Sequence, residues 1–198
     1  MKCLIIVDVQ NDFLPGGALA VPNGDEVIPF INYIQHGYDL VIATQDWHPS
    51  NHGSFAANQE NKNPGEVIDL NGLQQILWPV HCVQGSKGAQ LSADLNLRYI
   101  KKVFVKGTDP GIDSYSGFFD NGKKQSTGLH DYLQSKGIQK VTVVGLAADY
   151  CVKFTALDAV ELGYEVEVLK SGTKAVNLKP TDFDDSMAEM ERARILIK

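Results

Sequence analysis

The chain has 198 residues, 43% hydrophobic and 21% charged, a length and balance that suit one globular domain with a core needing no disulfides or structural metals. Its formal net charge of −6 offers no basic stripe to neutralise phosphates, which argues against a nucleic-acid partner. Three sparse cysteines, an N-terminus unlike a signal peptide and no apolar run near the roughly 20 residues of a membrane helix point to a soluble protein of the reducing cytoplasm, away from membranes.

Taken in chain order, Cys3 to Val9 is a β-branched apolar run that predicts a first strand, with Asp8 set inside it. Asp25 to Gln35 carries Val27, Ile28, Ile31 and Ile34 on one helical face and ends near Gly37. A second strand is expected over Leu40 to Thr44. From Asp46 to about Asn96 periodicity fades and Asn, Gly, Pro, Gln and His accumulate, so a long functional loop is expected, ordered by Trp47, Phe55, Trp78 and Cys82. Val103 to Lys106 predicts a third strand, Thr127 to Lys136 a helix closed by Gly137, and Val141 to Val144 a fourth strand. Asp149 to Leu162 predicts a helix capped by Asp149, Val166 to Leu169 a fifth strand, and Pro180 through about Arg194 a last amphipathic helix. Strands alternating with helices imply parallel crossovers, hence a three-layer α/β/α sandwich around a mainly parallel sheet. In such sheets the active site lies beyond the carboxyl ends of the strands.

The strand ends carry the chemistry. Cys151 follows Gly145-Leu146-Ala147-Ala148-Asp149-Tyr150 in the first turn of a helix, where free N–H groups favour a thiolate and can receive an oxyanion. A lone cysteine there is as readily an inert buried residue. Asp8 and Lys106 tip the balance: each is a charge where an apolar residue would be cheaper, and pairing them beside Cys151 resolves both costs. A purely structural ion pair is the alternative. Of five histidines, three (His48, His52 and His81) fall in the long loop. Asp46, His48 and His81 form a carboxylate-and-imidazole set suited to zinc, iron or manganese, against simple hydrogen-bonded loop histidines. Cys82 is a further ligand candidate, but its apolar neighbour Val83 favours burial. His36 and His130 fall in or beside helical segments and read as surface residues.

Together, Asp8-Val9-Gln10-Asn11-Asp12-Phe13, Gln45-Asp46-Trp47-His48-Pro49, Trp78-Pro79-Val80-His81-Cys82, Lys106-Gly107 and Gly145 through Val152 resemble the nicotinamidases of the isochorismatase-like hydrolase superfamily. The match runs in order over nearly the whole chain and implies one such domain over residues 1–198 with a metal-binding loop at about 46–96. It implies a cysteine amidohydrolase converting nicotinamide to nicotinate and ammonia through a thioester, feeding NAD salvage and accepting pyrazinamide. Position by position, Cys151 matches the nucleophile, Asp8 the general base and acid, and Lys106 the third member of the triad. Asp46, His48 and His81 match ligands of one divalent metal, zinc foremost and iron or manganese otherwise, with His52 beside them as a supporting residue. The amides of Ala147 and Cys151 match the oxyanion hole, and the Leu146–Ala147 bond a cis peptide. Phe13, Trp78 and Tyr115 match the aromatic walls around a pyridine ring. Ala148 departs from the family's common Thr, which puts the support of that turn in doubt. A sibling hydrolase of isochorismate or an N-carbamoyl amide, a non-catalytic binding subunit and a redox cysteine are the rival readings. A homo-oligomer is compatible with the sequence.

Overall fold

The computed structural model describes residues 1–198. Six strands, β1 (Lys2–Val7), β2 (Leu40–Asp46), β5 (Ile100–Lys106), β6 (Lys140–Leu146), β7 (Glu165–Lys174) and β8 (Leu196–Ile197), form one sheet in the order β5-β2-β1-β6-β7-β8, every pair parallel. The expected parallel sheet is present. The strands β3 (Val67–Leu70) and β4 (Leu73–Ile76) instead pair antiparallel as a separate hairpin inside the long loop.

The central strands β1, β2 and β6 are buried on both faces, which is why they lack strict alternation. Along β1, Cys3, Ile5 and Val7 join one core with helices α2 (Leu129–Ser135), α3 (Lys153–Glu161) and α4 (Asp182–Arg192). Leu4 and Ile6 point to the other core, against Val27, Ile28 and Ile31 of α1 (Val27–Ile34). Burial of this much branched apolar surface, worth roughly 25 cal/mol per Å² removed from water, holds the three layers together. No helix is long and apolar enough to cross a membrane.

Chain order reverses at β1, which has β2 on one side and β6 on the other. That is the switch point where a crevice opens beyond the strand ends. Gly145 lets β6 approach β1 there: at φ +111 a Cβ would stand 2.1 Å from the Val7 carbonyl oxygen. Side chains cannot be placed at that distance, so only glycine serves.

Some features differ from expectation for local reasons. β1 stops at Val7 rather than Val9 because Asp8 turns into the left-handed region at φ 48. The helix expected from Asp149 begins as a π-helical turn over Ala148–Val152 before α3 proper. Asp149 does not cap it: its carboxylate accepts from the amides of Val176 (3.0 Å) and Asn177 (2.9 Å), tying the turn to the chain after β7. The long loop is not featureless either. Asn71 and Gly72 both have positive φ, and this Asn-Gly pair forms the two-residue turn between β3 and β4.

Candidate active site

Asp46 ends β2 and Lys106 ends β5, and the two are register partners on adjacent strands. Their side chains therefore rise on the same side of the sheet. Asp8 follows β1 next door, and Cys151 follows β6 across the switch point. The topology gathers all four.

Lys106 is the hub and is fully buried. Its ammonium lies 2.9 Å from Asp8 Oδ2, donates to the carbonyl of Ser114 at 2.8 Å and to Asp46 Oδ1, and stands 3.3 Å from Cys151 Sγ. The Asp8–Lys106–Cys151 grouping expected from the strand ends is thus assembled, with Asp46 as a fourth member that sequence reasoning assigned only to a metal. Thr44, two residues before Asp46, adds a hydrogen bond of 2.6 Å to Asp8 Oδ1. Asp8 Oδ2 has no hydrogen-bond donor of good geometry apart from this ion pair, and a carboxylate oxygen of Asp8 lies within 4.8 Å of both Cys151 Sγ and Asp46. That carboxylate is an acceptor beside the thiol.

The electrostatics correct one expectation. Cys151 is not held as a thiolate: burial, with Asp8 and Asp46 adding to it, pushes its thiol well above the ordinary value against the pull of Lys106. Burial also raises the Asp8 carboxyl, with Lys106 and Thr44 opposing. Asp46 goes the other way. Although burial opposes it, Lys106 and His48 hold its carboxyl below the usual carboxylate range. Lys106 stays charged, since the carboxylates overcome the penalty of burying its ammonium. The resting proton sits on sulfur, beside a carboxylate able to take it.

The histidines converge on the far side of Asp46. Nδ1 of His48 donates to the carbonyl of Gly107 (2.8 Å), and Nδ1 of His81 donates to the carbonyl of Pro79 (2.8 Å). A carbonyl only accepts, so each ring keeps a proton on Nδ1 and turns Nε2 inward, where Asp46 raises His48 against its burial. Those Nε2 atoms lie 3.5 and 3.9 Å from Asp46 Oδ2. Burial, with His48 nearby, lowers His81 to about 4, so it stays neutral. Two oriented imidazole lone pairs and one carboxylate oxygen, all buried within 4.8 Å of one another, fit a divalent metal. Gln10 clamps Asp46 from behind, donating to its carbonyl and accepting from its amide, both at 2.8 Å. His52 groups instead with His48 and Asp113; its Nδ1 bonds Ser54 Oγ at 2.7 Å, and its buried Nε2 has no partner. Cys82 is buried in the α1-side core and belongs to no ligand cluster.

Above Cys151 and the histidines opens a largely apolar cavity of about 360 Å³, its mouth included, walled by Phe13, Leu19, Trp78, Tyr115, Tyr150 and Val176. Phe13, Trp78 and Tyr115 were expected there; Leu19, Tyr150 and Val176 carried no signal in the sequence. Ala147 also faces the cavity. Its amide follows a cis peptide from Leu146 and makes no hydrogen bond within the chain, which leaves a donor free beside Cys151.

An isochorismatase-domain profile matches residues 2–196. The chain is 50% identical over 196 residues to the nicotinamidase of Escherichia coli, covering 97% of this chain and 92% of that one. Among solved structures it resembles the Acinetobacter baumanii nicotinamidase/pyrazinamidase (42% identity, TM-score 0.96, 99% and 94% coverage). It also resembles the Pyrococcus horikoshii pyrazinamidase in complex with zinc (36% identity, TM-score 0.80, 100% and 98% coverage).

Proposed function

The chain belongs to the isochorismatase family, on its nicotinamidase branch, and from that premise we propose how its residues hydrolyse nicotinamide to nicotinate and ammonia. The same cavity takes pyrazinamide, a ring of like size bearing the same carboxamide. The reaction fits the salvage of nicotinamide towards NAD.

The ring enters the apolar cavity between Phe13, Trp78 and Tyr115 and brings the carboxamide to Cys151. Asp46, His48 and His81 would hold the divalent metal, with zinc favoured by the zinc-bound relative; when bound it supplies an electron-pair acceptor for the ring nitrogen. His52 supports this set from beside His48. Asp8 Oδ2 takes the thiol proton as Sγ attacks the carboxamide carbon. The oxygen that gains charge is received by the amides of Ala147 and Cys151. Asp8 then returns the proton to nitrogen, the C–N bond breaks, and ammonia leaves a thioester on Cys151. A water, giving its proton to Asp8, attacks the thioester carbon, the C–S bond breaks to release nicotinate, and Asp8 returns the proton to Sγ. Lys106 keeps Asp8 and sulfur in register and offsets the negative charge as the proton moves between them. Ala148, where relatives commonly carry Thr, packs wholly buried in the core and contributes no polar group to this scheme.

The observation that carries this reading is one buried ammonium touching a carboxylate, a thiol and a metal-type ligand beneath a single apolar cavity. We place the enzyme in the cytoplasm, where its three free, buried cysteines stay reduced, acting on a small molecule rather than on nucleic acid or a membrane. It works as a monomer or as a homo-oligomer. Ammonia release from nicotinamide tests the function. Cys151→Ala is expected to abolish release while the protein remains folded, and near-normal turnover by that variant would refute the assignment of the nucleophile.

A further inference from the structure

The β3–β4 hairpin stands outside both cores. Of its eight strand residues only Gln75 is buried, at 2% exposure, while Val67, Asp69 and Gln74 are exposed. A two-stranded hairpin is marginal by itself and needs an attachment. Leu70 and Leu73 reach apolar neighbours beside Gly53 and Gly122, and the buried part of the attachment is polar. The Gln75 side-chain nitrogen, with two hydrogens to give, lies within hydrogen-bond distance of Asp113 Oδ2 (3.0 Å), Tyr115 Oη (3.1 Å) and the carbonyl of Ile76 (2.7 Å). The same Tyr115 oxygen accepts the indole N–H of Trp78 at 3.2 Å. Burial and Asp113 keep Tyr115 a neutral phenol, so it remains an acceptor for both donors. Trp78 and Tyr115 each pack edge-on against Tyr150, closing an aromatic wall over the cavity.

We propose that Gln75 is a positioning residue for the ring site: it docks the hairpin and fixes Tyr115, and through it Trp78, against the substrate. This rests on the ring-binding reading above. Gln75 touches neither Cys151 nor the histidines, so its loss acts on binding of the ring before it acts on the chemistry. Losing one buried hydrogen-bond network of this kind corresponds to about a five- to tenfold change in an equilibrium.

The test compares Gln75→Leu and Gln75→Glu with the unaltered enzyme, all metal-loaded and with metal content measured. Leu removes the donors; Glu keeps the length but sets a second carboxylate beside Asp113, so one variant suffices if the other fails to fold. KM for nicotinamide is expected to rise about five- to tenfold with kcat within about twofold. In a Trp47→Phe background, where Trp78 is the sole indole, Gln75→Leu is expected to shift Trp78 emission even without substrate. With Tyr115→Phe present, adding Gln75→Leu should raise KM little further, because the path through Tyr115 is already cut. If the unaltered enzyme turns over nicotinamide but both variants keep its KM and the Trp78 emission, the proposal is overturned and the functional reading stands. If the unaltered enzyme releases no ammonia, the functional reading fails, and the emission shift alone decides whether Gln75 positions Trp78.

Discussion

Replacing Lys106 by Met keeps most of the buried stem and removes the ammonium that faces Asp8, Asp46, Ser114 and Cys151. Two buried carboxylates are then left without their cation. Breaking a buried pair by deleting one partner costs about 3–5 kcal/mol. For a chain of this size that corresponds to a fall in Tm of about 6–20 °C. The sign of the pH dependence follows from the carboxylates. Without Lys106 both folded-state pKa values rise, Asp8 from an already raised position and Asp46 from a depressed one, so the folded variant binds protons that the unfolded chain, with an ordinary carboxyl near 3.8, does not. The deficit is therefore full at about pH 8 and shrinks as the pH falls towards the ordinary carboxylate range. Urea unfolding of both proteins with chelator present keeps metal binding out of the comparison. Ammonia release should fall by about 10²–10⁴, as expected when proton transfer is disabled. A deficit below about 1 kcal/mol at about pH 8, typical of an exposed pair, would refute the buried hub, as would a deficit that grows on acidification.

The acid limb of kcat/KM should lie above the ordinary carboxyl value of 3.8, because burial raises Asp8 and the base must be deprotonated to act; the raised Cys151 thiol places no alkaline loss below about 9, and a pH–rate profile checks both limbs. Stripping the metal should raise KM for nicotinamide sharply while leaving Cys151 intact to alkylation, and unchanged kinetics in a verified metal-free sample would sink the orienting role. Gly107→Ala should lose metal: at φ +63 its Cβ would fall 2.3 Å from Cε1 of His48, so elemental analysis is expected to show occupancy well below that of the unaltered protein.

Much of the site was legible because burial makes charge conspicuous. Asp8 and Lys106 stood out as charges in apolar runs, and strand-end position alone placed them with Cys151. The Asn71-Gly72 pair was an equally readable hairpin signal, overlooked within a loop poor in periodicity. Other features had no local trace. Gln75 reads as one more polar residue of the loop, and nothing in its neighbours announces a partner 38 residues on at Asp113. The same holds for Gln10, which clamps Asp46 across 36 residues of sequence. Asp149 looked like a helix cap by position, yet the amides of Val176 and Asn177, brought alongside after β7, outcompeted the helix for its carboxylate.

By itself the sequence determined the layered parallel sheet and singled out Cys151, its two charged companions and the Asp46, His48 and His81 set as candidates, since each stands out by what a residue costs or offers where it stands. Only the tertiary structure decided their state. Lys106 could have paired with Asp8 alone; the register that sets it opposite Asp46 makes it serve two carboxylates and join the metal side to the thiol side. Cys151 could have been a thiolate at a helix start; enclosure under the cavity with two carboxylates nearby raises its thiol and favours the proton on sulfur. Those outcomes depend on distance and desolvation between segments far apart in the chain, and such quantities come into being only when the chain folds.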